Sequence, residues 1–113
     1  MIGVKGTIKS KTDINKLFCV GRKITTKNVI ALVTESLDER DQEGRVAFIA
    51  GKRLGNAPTR NRAKRVLREA ARALRAPWRG FDVVFIAREA TATASAENVL
   101  KDLVTIAEKA RLL

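Results

Sequence analysis

The chain has 113 residues, 45% of them hydrophobic and 31% charged, and its formal net charge is +11. That length and composition suit one globular domain over residues 1–113, since two cores would each be too small to fold well. With no histidine, no tyrosine and Cys19 as its one cysteine, the sequence excludes histidine-based acid–base or triad chemistry, a disulfide framework and a cysteine zinc site.

Thr12 or Asp13 can cap a short helix with Ile14, Leu17 and Phe18 on one face, and Gly21 is placed to end it in the left-handed conformation. Residues 28–34 are β-branched and apolar and read as a strand. Residues 37–44 are acidic and end in glycine, as a surface loop or hairpin connection would. A second strand follows over 45–50, then a turn over 52–56 containing Gly55. Residues 57–75 read as a helix that tolerates Pro58 in its first turn, with Pro77 and Gly80 ending it. Residues 81–87 include Val83-Val84-Phe85-Ile86-Ala87, a continuous apolar run typical of a strand covered on both faces. After a polar link over 91–95, Ser95 caps a last helix with a stripe at Ala96, Val99, Leu100, Leu103, Ala107 and Ala110. The strand–helix–strand unit over 45–87 implies two parallel neighbours, and the whole order gives an α+β sandwich.

No apolar run approaches the ~20 residues of a membrane helix, and the first five residues lack the h-region of a secretory signal. No membrane partner and a cytoplasmic setting are therefore expected.

The charge is concentrated. Residues 1–44 carry eight basic and six acidic side chains, residues 76–113 five of each, but residues 45–75 carry ten basic and one acidic. A face kept merely soluble needs no such one-sidedness, so a polyanionic partner is expected. On a helical wheel Ala63, Val66, Leu67, Ala70 and Leu74 form the packing arc. Arg60, Lys64, Arg68, Arg72 and Arg75 are read as a ladder opposite, joined by Asn61 and Arg65, with Arg62 to one side near Glu69. Like charges at i, i+4 each cost ~0.2–0.5 kcal/mol, so the ladder opposes folding until an anion neutralises it. Arginine-rich display suits bidentate contact with phosphate oxygens. Lys52 and Arg53 add cations at the start of this helix, where free N–H groups and the dipole also favour phosphate.

Duplex DNA fits less well than RNA. The flanking elements are strands, and only Asn61 and Thr59 among the arginines suit base reading. The aromatic residues are expected in the core, Phe18 being the exception that can face a groove. Gly51-Lys52 resembles a phosphate loop but lacks its other glycine and its Ser or Thr. Asp38, Glu39, Asp41 and Glu43 read as a solvated hairpin tip, and Asp82 and Glu89 as solvent-facing carboxylates flanking a strand. Cys19 reads as a small helix residue, and no pair of carboxylates makes a nuclease site.

The run from Gly44 to Glu69 resembles a known signature. Its core is Arg60-Asn61-Arg62 followed by Lys64-Arg65 and preceded by Lys52 and Gly55-Asn56-Ala57. It resembles the bacterial ribonuclease P protein component, and the resemblance extends over residues 7–110, including Asp13, Phe18, Gly21 and Phe81-Asp82-Val83-Val84-Phe85-Ile86-Ala87-Arg88. It implies a two-layer α/β sandwich of three helices and a mixed sheet of about four strands, in the order α-β-β-β-α-β-α. It also implies a left-handed strand–helix–strand crossover, against the usual rule.

The implied function is that of a subunit without catalysis of its own. The partners would be the catalytic RNA of ribonuclease P and the single-stranded 5′ leader of precursor tRNA, with no obligate protein partner. The RNA would remove the leader with Mg²⁺ that it mainly holds itself. The resemblance assigns RNA contact to Lys52, Arg53, Asn56, Arg60, Asn61, Arg62, Lys64, Arg65 and Arg68. It assigns a leader-binding cleft to Ile14, Phe18, Ile30, Leu32 and Ile49. The family often has aromatics at the positions of Ile14 and Leu32 and serine at those of Ile49 and Gly51, so stacking and hydrogen bonding to leader bases are expected to be weaker here. Three rival readings share the charge: a stand-alone structural RNA-binding protein of ribosomal type, a protein-only nuclease and a DNA-binding regulator.

Overall fold

The computed structural model describes Ile8 and residues 11–35 and 43–112. Helix α1 spans Lys11–Val20 and is followed by strands β1 (Arg22–Thr25), β2 (Val29–Glu35) and β3 (Arg45–Ile49). A 3₁₀ turn at Lys52–Leu54 leads into helix α2 (Ala57–Ala73), strand β4 (Phe81–Ala87), a second 3₁₀ turn at Glu89–Ala92 and helix α3 (Ala96–Ala110). The sheet order is β1-β2-β4-β3, antiparallel except for the parallel pair β3–β4. The strand–helix–strand reading therefore holds, as does the implied order of three helices and four strands.

Alternation along the strands divides the side chains between two faces. Val29, Ala31 and Val33, with Val46, Val83, Phe85 and Ala87, face α2 and α3 in the larger core. Helix α2 contributes Ala63, Val66, Leu67, Ala70 and Ala71, and α3 contributes Val99, Leu103, Ile106 and Ala110. The opposite face holds a smaller core of Leu32, Ala47 and Val84 under Leu17 of α1 and Ile8. In α3 the stripe is rotated from expectation: Ile106 is fully buried and Ala96 is exposed.

Strand β1 escapes the chain-order reading because only Ile24 of its four residues is buried; it completes the count of four that the resemblance implies. Gly21 closes α1 by donating its N–H to the Leu17 carbonyl at 2.8 Å, but its φ is not positive. Glycine is needed there for closeness, since a Cβ would lie 2.4 Å from that same oxygen. Gly44 is the left-handed case: at φ 88° its missing Cβ would sit 2.0 Å from the Trp78 carbonyl oxygen.

Helix α2 ends two residues short of the expected 75. Arg75 sits at φ 65°, and the Ala76 and Arg75 N–H groups close back on the Ala71 and Arg72 carbonyls, a Schellman motif with arginine where glycine is usual. Asp82 is not solvent-facing. It is 0% exposed, and Arg45 donates Nη2 to its Oδ2 at 2.9 Å. The same guanidinium donates Nη1 to Asp13 Oδ2 of α1 at 2.9 Å, tying that helix to the sheet. Of the acidic tip, Asp38, Glu39 and Asp41 lie outside the described residues.

Candidate RNA interface

Helix α2 begins where the side chain of Asn56 accepts hydrogen bonds from the Thr59 N–H at 3.1 Å and the Thr59 hydroxyl at 2.8 Å. This is N-capping, which satisfies a donor that the first turn would otherwise leave open. Pro58 has no N–H to give, so the helix end keeps its dipole but offers few of the free donors expected for phosphate.

The cations beyond it divide into three environments. Lys52, Arg53, Arg65, Arg68 and Arg72 are exposed and, with the uncharged Asn61, form the solvent face of α2 and its leading turn. Arg68 also lies over the ring of Phe48, 5.8 Å from its centroid, which fixes its guanidinium on an aromatic platform. Lys64 is half-buried at the margin. Arg60 departs from the expected ladder. It is half-buried, seven residues before Leu67 and eleven before Ala71, which puts it on the packed side of the wheel, and its Nε is buried with no hydrogen bond among the described residues. Arg62 is committed elsewhere: Nη1 donates to the Ala92 carbonyl at 2.8 Å and Nη2 to that of Ala94 at 3.5 Å. It buttresses the segment between the second 3₁₀ turn and α3.

The other expected site is a cleft on the α1 side of the sheet. Helix α1 covers only part of that face. Beyond it lies an apolar-walled depression of about 460 Å³, lined by Ile30, Ile49, Gly51, Leu54 and Ile86, with Arg53, Arg88 and Glu89 at its margin. Ile14 is half-buried over the small core, and Phe18 is 54% exposed at the end of the same helix. Leu32 differs from expectation: it is 4% exposed in the small core with Leu17, so it supports the cleft from beneath and cannot touch a strand lying in it.

The sequence reading misses Ile86 and Arg88. Ile86 belongs to a run that reads as buried on both faces, yet it is half-buried and open on the α1 side. Arg88, at the end of β4, is anchored by Nη1 to the Thr26 carbonyl at 2.7 Å. Alternation from Val84 outward could have found Ile86; the position of Arg88 depends on tertiary contact.

Arg45 is the group whose acidity moves: the hydrogen bond to Asp82 raises its pKa, burial opposes that, and Asp13 adds to the rise. Among the described residues no three acidic or cysteine side chains gather as a metal-ligating group, and no helix is long and apolar enough to cross a membrane.

A protein-family model described as Ribonuclease P matches residues 4–111. The chain belongs to the ribonuclease P protein family. Curated relatives that bear the name ribonuclease P protein component include one from Natranaerobius thermophilus, 31% identical over 109 residues, covering 95% of this chain and 91% of that protein. Another, from Streptococcus thermophilus, is 33% identical over 105 residues, covering 93% and 92%. Among solved structures, the Staphylococcus aureus RNase P protein superposes with a TM-score of 0.82 at 20% identity, covering 95% of this chain and 96% of its own. The RNase P protein from Thermotoga maritima gives 0.75 at 22% identity, covering 88% and 93%. These two likenesses establish the fold, and the family match establishes the class: a protein component of ribonuclease P, a ribonucleoprotein endonuclease of tRNA processing.

Proposed function

We propose that this chain binds the catalytic RNA of ribonuclease P through the exposed face of α2 and holds the 5′ leader of precursor tRNA in the cleft beside α1. The observation that carries the reading is the division of labour between two surfaces. One is strongly cationic and regular, as phosphate contact requires. The other is apolar, open and rimmed by Arg53 and Arg88, as a single strand requires.

In this reading Lys52, Arg53, Asn61, Lys64, Arg65 and Arg68 contact RNA phosphates. Arg60, at the packed margin, meets the RNA with only part of its guanidinium. Asn56 and Arg62 act by setting where the helix starts and how it sits. Ile14, Phe18, Ile30 and Ile49 meet the leader, joined by Ile86 and Arg88, while Leu32 supports them from the core. The RNA does the cutting with Mg²⁺ that it mainly holds. The setting is the cytoplasm, where precursor tRNA is processed.

The test is cleavage of precursor tRNA by a bacterial ribonuclease P RNA at low Mg²⁺, with and without the protein. Stimulation that needs both components and cuts at the mature 5′ end is expected. RNA binding without stimulation across several such RNAs would indicate a stand-alone structural RNA-binding protein instead. Cleavage by the protein alone would overturn the assignment of the chemistry to RNA.

A further inference from the structure

A second cavity, of about 350 Å³, opens between the β1–β2 turn, the second 3₁₀ turn and the first turns of α3. None of the α2 ladder or leader-cleft residues lines it. Its walls are polar: Asn28, Asn98 and Asp102, with Lys27 and Lys101 at the margin.

Asn28 is the informative residue. It is 7% exposed, and its backbone is pinned on both sides. Its N–H donates to Asp102 Oδ2 at 2.9 Å, and its carbonyl accepts from the Thr91 hydroxyl. Yet its side-chain amide has no hydrogen bond among the described residues, although neither amide atom is sealed from solvent. An amide held by a fixed backbone, lining a cavity, reached by solvent and uncommitted to any described residue is placed to bond whatever enters the cavity. Asp102 adds an acceptor-only carboxylate whose second oxygen has no hydrogen bond among the described residues, and the lysines add positive charge at the mouth.

We propose that this cavity binds one unpaired nucleotide of an RNA strand, reading an amino-bearing base (adenine, cytosine or guanine) with Asn28 and Asp102 and its phosphate with Lys27 and Lys101. The volume suits a single nucleotide. An amide supplies a donor and an acceptor side by side, and a carboxylate accepts from an exocyclic amine. Uracil has a carbonyl oxygen in place of the exocyclic amine and keeps only its N3–H to donate, so it fits the Asp102 carboxylate less well. The lysines face solvent, and the ion pair of Lys101 with Glu97, 3.8 Å from Nζ to Oε1, is an exposed one of little strength, so phosphate on a strand passing over the mouth competes for Lys101 and reaches Lys27 directly. The proposal rests on the RNA-binding reading but concerns another surface. Two residues link the surfaces: Arg62, whose Ala94 contact lies on the cavity wall, and Arg88, whose N–H donates to the Thr91 hydroxyl that in turn donates to the Asn28 carbonyl.

The experiment follows the side-chain amide NMR signals of Asn28 and Asn98, with those of Asn56 and Asn61 reporting α2. Short oligoadenylate, oligocytidylate and oligouridylate strands, AMP and inorganic phosphate are titrated in turn. Asn28 and Asn98 are expected to shift with the first two strands at concentrations at least tenfold below those needed for oligouridylate. Asp102→Asn keeps an oxygen for the Asn28 N–H but replaces the other acceptor with a donor, so the order should reverse in favour of oligouridylate. Shifts at Asn61 without shifts at Asn28 would overturn the proposal while leaving the α2 interface intact. Equal response to all strands, or to phosphate alone, would overturn base reading. Equal affinity for AMP and oligoadenylate would overturn the strand and assign the cavity to a free nucleotide. Precursor cleavage measured on the same wild-type sample separates these outcomes from a failure of the ribonuclease P reading itself.

Discussion

Replacing Arg45 by methionine should loosen α1 from the sheet before it affects anything else. Arg45 joins Asp82 of β4 and Asp13 of α1 through two 2.9 Å contacts. Asp82 is fully buried, and methionine fills much of the arginine stem's volume but leaves that carboxylate without its main cation. Breaking one partner of a buried pair costs about 3–5 kcal/mol. Arg45 and Asp13 retain partial solvent contact, so a value near the lower end, about 3 kcal/mol, applies here. An unfolding entropy of about 2.1 cal/mol/K per residue gives about 0.24 kcal/mol/K for a chain this long, so the Tm should fall by about 12 °C. The loss should also be local. Helix α1 has ten residues, and only Leu17 of them is fully buried, too little to hold a short helix by propensity. Amide exchange should therefore accelerate in α1 well before the interior of β2 and β4. The pH dependence has a definite sign. The folded pKa of Arg45 is raised, chiefly by its bond to Asp82, so its contribution is fully present below the ordinary arginine value and is lost only as pH climbs through the folded one. An Arg45→Met protein that melts within about 2 °C of the parent, or one whose α1 exchange is unchanged while the sheet loosens, would refute the reasoning.

Arg65→Ala together with Arg68→Ala should reduce the slope of log affinity against log salt for RNA by about 0.7–0.9 for each phosphate that no longer meets a cation; an unchanged slope would remove the α2 face from the interface. Arg62→Ala should leave that slope alone and instead lower the Tm, because its bonds go to the Ala92 and Ala94 carbonyls; a shallower slope at an unchanged Tm would contradict this. Asn56→Ala should cost about 1 kcal/mol by removing the cap, and Asn56→Ser should recover most of it in thermal melts. Arg75→Gly should stabilise by about 0.5–1 kcal/mol, since it removes a side chain from a left-handed position; a lower Tm would contradict the Schellman reading of that helix end.

Most of the fold could be read from local pattern. The buried runs of β2 and β4, the 3.6-residue arc of α2, and the Ser95 cap, which accepts the Asn98 N–H at 3.1 Å, follow from residue type and spacing. Strand β1 could not be found this way. It is an edge strand of four residues with one buried side chain, and it exists because β2 offers it a ladder. The buried state of Asp82 was equally invisible, since a carboxylate at a strand end is ordinarily solvated and the cation that pairs with it, Arg45, is distant in sequence.

The site was less legible than the fold for a related reason. Charge along a sequence says which side chains want anions, and it located the α2 face. It does not say which of those cations the protein has already used. Arg60, Arg62 and Arg65 stand within six residues and look interchangeable, yet one lies on the packed margin, one bonds two carbonyls and one faces solvent. That division is set by what α2 packs against: helix α3 beside it, the turn before it, the 3₁₀ turn after β4 and the sheet beneath. Leu32 makes the same point in apolar form, because a β-strand alternates between faces but α1 decides how far along one face the cover extends. A functional surface here is what remains of the reactive groups after the fold has taken its share, so Arg62 and Leu32 should answer mutation as structural residues while Arg65 and Phe18 answer as contacts.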